Sequence, residues 1–109
     1  MLRKRPDFLK AQSGLKSGAP GFLLARASAP NALGETRLGF TVTRKIGNAV
    51  VRNRVKRRLR EASRRVFPDF AEPGFDYVLI ARAAAAARPF ELLLDDMKRA
   101  LLRLSSHPK

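Results

Sequence analysis

The chain has 109 residues, no cysteine and a formal charge of +14 at pH 7, from 23 Lys and Arg against nine Asp and Glu. That length suits one domain with a modest core, and the missing cysteines exclude a disulfide framework and a thiolate metal site. The charge points to nucleic acid or an anionic membrane surface, and no apolar run approaches the roughly 18–20 residues that cross a bilayer.

Residues 1–5 form a basic tail. Met1-Leu2-Arg3-Lys4-Arg5 is charged but has no apolar stretch after it, so a secretory signal is not expected and a cytoplasmic location is. Pro6 can open a short helix over residues 7–12. Ser13-Gly14 ends it, and residues 16–21 read as a loop. Residues 22–27 (Phe-Leu-Leu-Ala-Arg-Ala) are a candidate strand. After a connection rich in breakers, Leu38, Phe40 and Val42 alternate with Arg37, Gly39, Thr41 and Thr43. That period of two marks a half-buried strand over residues 36–43, expected to pair antiparallel with the preceding one.

Ile46-Gly47-Asn48 breaks the strand and opens a basic helix, with Asn48 as N-cap. At 100° per residue, Val51, Val55, Leu59, Ala62 and Val66 fall within an arc of about 80°. Lys56, Arg60, Asn53, Arg64 and Arg57 take the opposite arc, and Arg52, Arg54, Arg58 and Arg65 lie on the flanks. Four like-charged i,i+4 pairs (Arg52/Lys56, Arg54/Arg58, Lys56/Arg60, Arg60/Arg64) each cost roughly 0.2–0.5 kcal/mol. Only Glu61 offsets them, mainly through Arg57 and Arg65. A face kept this uniform is most simply explained by a polyanion.

Pro68 is expected to end the helix near Phe67. Residues 68–74 read as a turn and residues 75–81 as the most apolar, most central strand. The alanine run 83–87 reads as a loop or helical turn. Pro89 fits the first position of a last helix, in which Phe90, Leu93, Leu94, Met97, Leu101 and Leu104 share one side and cover a sheet face. Residues 105–109 read as a frayed tail. The whole is a single RNA-binding domain over residues 1–109, an α+β sandwich in the order α-β-β(-β)-α-β-α.

The acids give no candidate active site. Asp95 and Asp96 are consecutive on a helix and diverge by about 100°, whereas a two-metal nuclease needs converging carboxylates. His107 stands in the tail beside Pro108, and no nucleotide-binding glycine loop is present. RNA contact is what remains. Arginines take phosphates bidentately, and the free amides at Gly47-Asn48-Ala49 suit an anion. A DNA-reading helix is disfavoured, because Asn53 would be its lone base-edge reader among arginines.

At residues 44–61 the chain resembles the protein subunit of bacterial ribonuclease P. Lys45-Ile46-Gly47-Asn48-Ala49-Val50 is followed by Arg52-Asn53-Arg54 and by Lys56-Arg57 with Arg60, and the order of the remaining elements agrees. The resemblance implies a mixed sheet with the basic helix in a left-handed β-α-β crossover. It implies that Lys45, Asn48, Arg52, Asn53, Arg54, Lys56, Arg57 and Arg60 contact the catalytic RNA subunit. It implies that Phe8, with Lys4, Gln12, Thr41 and Thr43, contacts the 5′ leader of precursor tRNA. The protein would then hold no catalytic residue and no metal of its own, with Mg2+ held mainly by the RNA subunit and substrate, and would be monomeric before assembly. Gln12 and Ala25 stand where the family often has aromatics, so leader binding would lean on hydrogen bonds and on Lys4 and Lys10. A generic RNA-binding protein of ribosomal or chaperone type is the alternative, and it leaves the spacing within residues 45–54 unexplained.

Overall fold

The most apolar stretch of the sequence becomes an inner strand of a four-stranded mixed sheet in a computed structural model that describes Ala11 and residues 14–105. The strands are β1 (Leu15–Gly18), β2 (Phe22–Arg26), β3 (Arg37–Thr41) and β4 (Asp76–Ala81), in spatial order β1-β2-β4-β3. Two long helices, α1 (Ala49–Phe70) and α2 (Phe90–Ser105), pack on one face of it. Short 3-10 turns at Arg44–Ile46 and Ala83–Ala86 lead into them.

Three expectations change. Residues 16–21 are not simply a loop, because β1 pairs antiparallel with β2, with Leu15 opposite Arg26 and Gly18 opposite Leu23. Leu15 and Ser17 turn inward while Lys16 and Gly18 are exposed, a pattern too short and polar to stand out. The strands β2 and β3 do not pair with each other; they flank β4, β2 antiparallel and β3 parallel. β4 buries Tyr77 and Leu79 on one face and Val78 on the other, so it needs a neighbour at both edges. Finally, Pro68 lies inside α1, which continues to Phe70 and closes with the Ala71 N–H on the Phe67 carbonyl at 2.9 Å. Phe67 meets Tyr77 edge-on, ring centroids 5.2 Å apart, and Phe70 packs against the same core. Burying a Phe is worth about 1.5–3 kcal/mol, so Phe67 and Phe70 together offset the roughly 3 kcal/mol by which a helix-interior proline disfavours the last turn.

The crossover β3-α1-β4 is left-handed, and residue chirality shows it. Leu38 and Phe40 pack in the core with α1, so Arg37 and Thr41 project from the opposite face. The Arg37 N–H bonds the Phe75 carbonyl, toward β4. An L-residue in an upward strand, side chain toward the viewer, points its N–H and C=O to the right. Seen from the Arg37 face, β4 is therefore to the right of β3; seen from the helices it is to the left. The Ala27 N–H on the Asp76 carbonyl places β2 consistently beyond β4. About 98% of such connections run the other way. Both junctions of this one carry a glycine at positive φ, Gly47 (150°) and Gly74 (83°).

One cation is sealed in this core. Arg26 is 1% exposed, lies 4.2 Å from the Phe75 ring centroid and donates through Nη1 to Glu72 Oε1 at 2.9 Å. The Tyr77 hydroxyl accepts from the Glu72 N–H at 3.0 Å. Burial pushes the Tyr77 phenol above its ordinary 10.0, with the Glu72 carboxylate adding to the shift and Arg26 opposing it.

Removing the counter-charge by Glu72→Gln is expected to destabilise the fold by about 3 kcal/mol, read from urea unfolding at pH 7; Arg26→Met, which removes the charge and fills the space, costs less. Because Tyr77 holds its proton more tightly folded than unfolded, its stabilisation is complete below pH 10 and is lost as pH rises through the raised value. A Tyr77→Phe chain should show a shallower alkaline fall than wild type in the same urea series.

Candidate nucleic-acid interface

Helix α1 begins where the sequence placed its cap. Asn48 Oδ1 accepts the Val51 N–H at 3.0 Å. Gly47 before it closes the 3-10 turn with its N–H on the Arg44 carbonyl, and a Cβ there would stand 3.1 Å from the Val51 Cβ. That turn leaves Arg44 and Lys45 exposed at the helix N-terminus, the end whose free amides favour an anion.

The helix divides into four arcs. Val55, Leu59, Ala62 and Val66 are buried against the sheet, and Ser63 and Phe67 widen that face toward β3. Along the second arc, facing β3, Arg60 lies 5.9 Å from the Phe40 ring centroid, with its Nε buried and unpartnered. Asn53, Lys56 and Arg57 stand exposed on the outer arc. On the fourth, facing the 83–88 turn, Arg54 Nε donates to the Ala86 carbonyl at 3.0 Å, and Arg58 donates to the carbonyls of Ala85 and Arg88. Glu61 pairs with Arg64 (3.2 Å) and Arg65 (3.1 Å) rather than with Arg57.

All eight residues assigned to RNA contact thus lie on α1 or the turn before it, but in different settings. Lys45, Asn53, Lys56 and Arg57 are exposed; Arg52 is half-buried, with Nη1 on the Gly47 carbonyl at 3.2 Å; Arg54 is tied by one bond; Arg60 is turned to β3; Asn48 is occupied in capping. Arg58, placed on a flank of the helix by its spacing, is a clamp. Its carbonyl partners in an alanine run give no sequence signal.

The other proposed set divides differently. Lys4, Phe8 and Gln12 lie outside the described residues. Thr41 ends β3 opposite Ile80 on the face turned away from α1 and α2, half-buried, and Thr43 stands exposed as the residue before the 3-10 turn. That face also carries Ala11, fully buried against Val78 with Ile80 beside it. Ala11 therefore lies on the same face of the sheet as Thr41.

The acids serve the scaffold. Asp76 takes Arg37 at 2.8 and 2.7 Å and Asn31 at 2.8 Å, and Asp96 takes Arg88 at 2.6 and 3.2 Å. Among the described residues no group of three or more His, Cys, Asp or Glu could hold a metal ion. Nor is any helix there long and apolar enough to cross a membrane.

A profile of the Ribonuclease P family matches residues 1–105. The chain is 55% identical over 108 residues to the ribonuclease P protein component of Ruegeria pomeroyi, covering 95% of this chain and 85% of that one. It is 46% identical to that of Paramagnetospirillum magneticum, covering 99% and 84%. The fold superposes on the RNase P protein of Thermotoga maritima with a TM-score of 0.73 at 32% identity, over 90% of this chain and 94% of that one. With the Staphylococcus aureus protein the TM-score is 0.73 at 26% identity, over 96% and 94%.

The arcs predict separable effects on stability. Arg58→Ala should lower stability by about 1–2 kcal/mol, through lost hydrogen bonds and lost packing of its stem. Arg57→Ala should stay within about 0.5 kcal/mol of wild type. Thermal unfolding of the two variants side by side checks this.

Proposed function

We propose, for a chain that belongs to the ribonuclease P protein family, that the outer arc of α1 binds the catalytic RNA subunit while the sheet face turned away from α1 and α2 receives the 5′ leader of precursor tRNA. The chain is the accessory protein of an RNA-based endoribonuclease in tRNA processing. The observation that carries the division of labour is the outer arc itself: Asn53, Lys56 and Arg57 project from a helix whose inner and flanking side chains are held by the sheet, Gly47 and the 83–88 turn.

The residues act by charge and position. Lys56 and Arg57 neutralise phosphates, with Lys45 and the α1 N-terminus adding a second anion contact about two turns away. Arg52 and Arg54, each bonded to a carbonyl, offer pre-oriented guanidinium groups with donors to spare. Thr41 and Thr43 supply hydroxyls to a single strand, with Lys4, Phe8 and Gln12 contributing from the first helix and tail. The reaction is hydrolysis of the phosphodiester at the 5′ end of the mature tRNA. Mg2+, held mainly by the RNA subunit and the substrate, would supply positive charge at that phosphodiester. A monomer before assembly, one RNA-binding domain over residues 1–109 and a cytoplasmic setting belong to the same reading.

The test mixes the purified chain with a bacterial ribonuclease P RNA and a precursor tRNA at low Mg2+. Stimulated cleavage at the mature 5′ end is expected; RNA binding without stimulation would favour a generic RNA-binding protein. Lys56→Ala with Arg57→Ala should weaken RNA-subunit binding, reduce the salt slope by about 2 and leave the melting temperature unchanged.

A further inference from the structure

The second arc of α1 does not simply meet β3; it stands off from it. Between them runs an open groove of about 560 Å³ whose lining includes Leu38, Phe40, Arg60, Arg64, Phe67 and Pro68. Its apolar floor joins the core through Leu38, Phe40 and Phe67. Its lining contains two arginines and no acid.

Two further observations concern its hydrogen bonding. The Nε of Arg60 is buried and has no partner, although the guanidinium carbon lies within cation–π reach of Phe40. A buried donor left unpaired costs about 1–3 kcal/mol, so a group that accepts from it is favoured. In addition, β3 is an edge strand. Arg37 points its N–H to β4, so Leu38 and Phe40 turn theirs outward, and among the described residues no strand pairs with that edge.

We propose that this groove takes one unstacked nucleobase of the catalytic RNA subunit. The base lies on the Leu38/Phe40/Phe67 floor, its polar edge meets the outward N–H and C=O of β3, and its phosphate is held by Arg60 and Arg64. An apolar slot bounded by cations and by a free row of donors and acceptors suits a base with its phosphate. It suits an acidic peptide less, because the floor would then face the wrong chemistry. The RNA subunit is the source because the groove is continuous through Arg60 with the outer arc of α1, whereas the proposed leader face lies on the other side of the sheet. This inference rests on the functional reading above.

Chemical probing of base edges in the assembled holoenzyme tests it, using wild type, Thr36→Trp and Pro68→Trp. The two variants close the groove from the strand side and the helix side. Thermal unfolding of each confirms the fold, and either variant alone suffices. The expected result is one unpaired nucleotide of the RNA subunit that wild type protects and the closed-groove variants expose. Affinity should fall roughly ten-fold, with protection dependent on Lys56 and Arg57 unchanged. Arg60→Lys, which keeps the charge but loses Nε, should expose the same nucleotide. Unchanged protection and affinity with the groove closed would overturn the inference while leaving the functional reading standing. A photo-crosslinker on Thr36→Cys that labels precursor tRNA instead of the RNA subunit would overturn the assigned source. No protection anywhere by the wild-type chain would overturn the functional reading, and this inference with it.

Discussion

The dry seam between α1 and β4 is the contact on which the rest of the molecule depends. Val55, Leu59, Ala62 and Val66 meet Tyr77 and Leu79 there, and each large side chain is essentially sealed from water. Burying a Val or Leu is worth about 1.5–3 kcal/mol, whereas each like-charged pair along the helix costs roughly 0.2–0.5 kcal/mol. Two buried residues therefore outweigh all four repulsive pairs. That margin lets the outer arc carry a charge it would otherwise have to balance, and the surplus positive charge is what a polyanion reads.

Helix position matters as much as helix stability. A left-handed crossover puts α1 on the opposite side of the sheet from the one a right-handed connection between the same strands would choose. It leaves the Thr41 face to Ala11, which is buried there against Val78. The two faces are thereby separated: cationic helix on one, a half-covered strand surface on the other. Gly47 and Gly74 mark where the chain enters and leaves this connection in backbone conformations that side chains disfavour.

Features coded by neighbouring residues were legible in the sequence. The Asn48 cap, the α1 stripe and the strands around Phe22, Phe40 and Val78 appear where periodicity and punctuation place them. The positions proposed for RNA contact follow one another on one helix, but their settings there differ. Pairing between strands was not legible. Alternation in residues 36–43 says that one face is buried, yet nothing local says which neighbour β3 takes, and it is β4 rather than β2. Pro68 misled for a related reason. Its local preference is to stop the helix, and the packing of Phe67 just before it and Phe70 just after it overrides that preference. The functions of individual arginines were hidden too. Arg58 and Arg57 are adjacent and chemically identical, but only Arg58 faces the carbonyls of Ala85 and Arg88.

The same distinction explains how the acids among the described residues are used. Asp76, Asp96, Glu72 and Glu61 each hold one or more arginines in place, in pairs that fix loops and helix ends. A carboxylate bonded to a guanidinium is a poor metal ligand and a poor base, because its lone pairs and its charge are already engaged. The acids thus hold several arginines in order, whereas Arg57 and Arg60, which no acid among the described residues holds, are turned outward or toward the groove. An RNA that carries its own metals and reacting groups is complementary to such a surface. In the proposed assembly it supplies phosphates to the outer arc, and the protein supplies a rigid positive template.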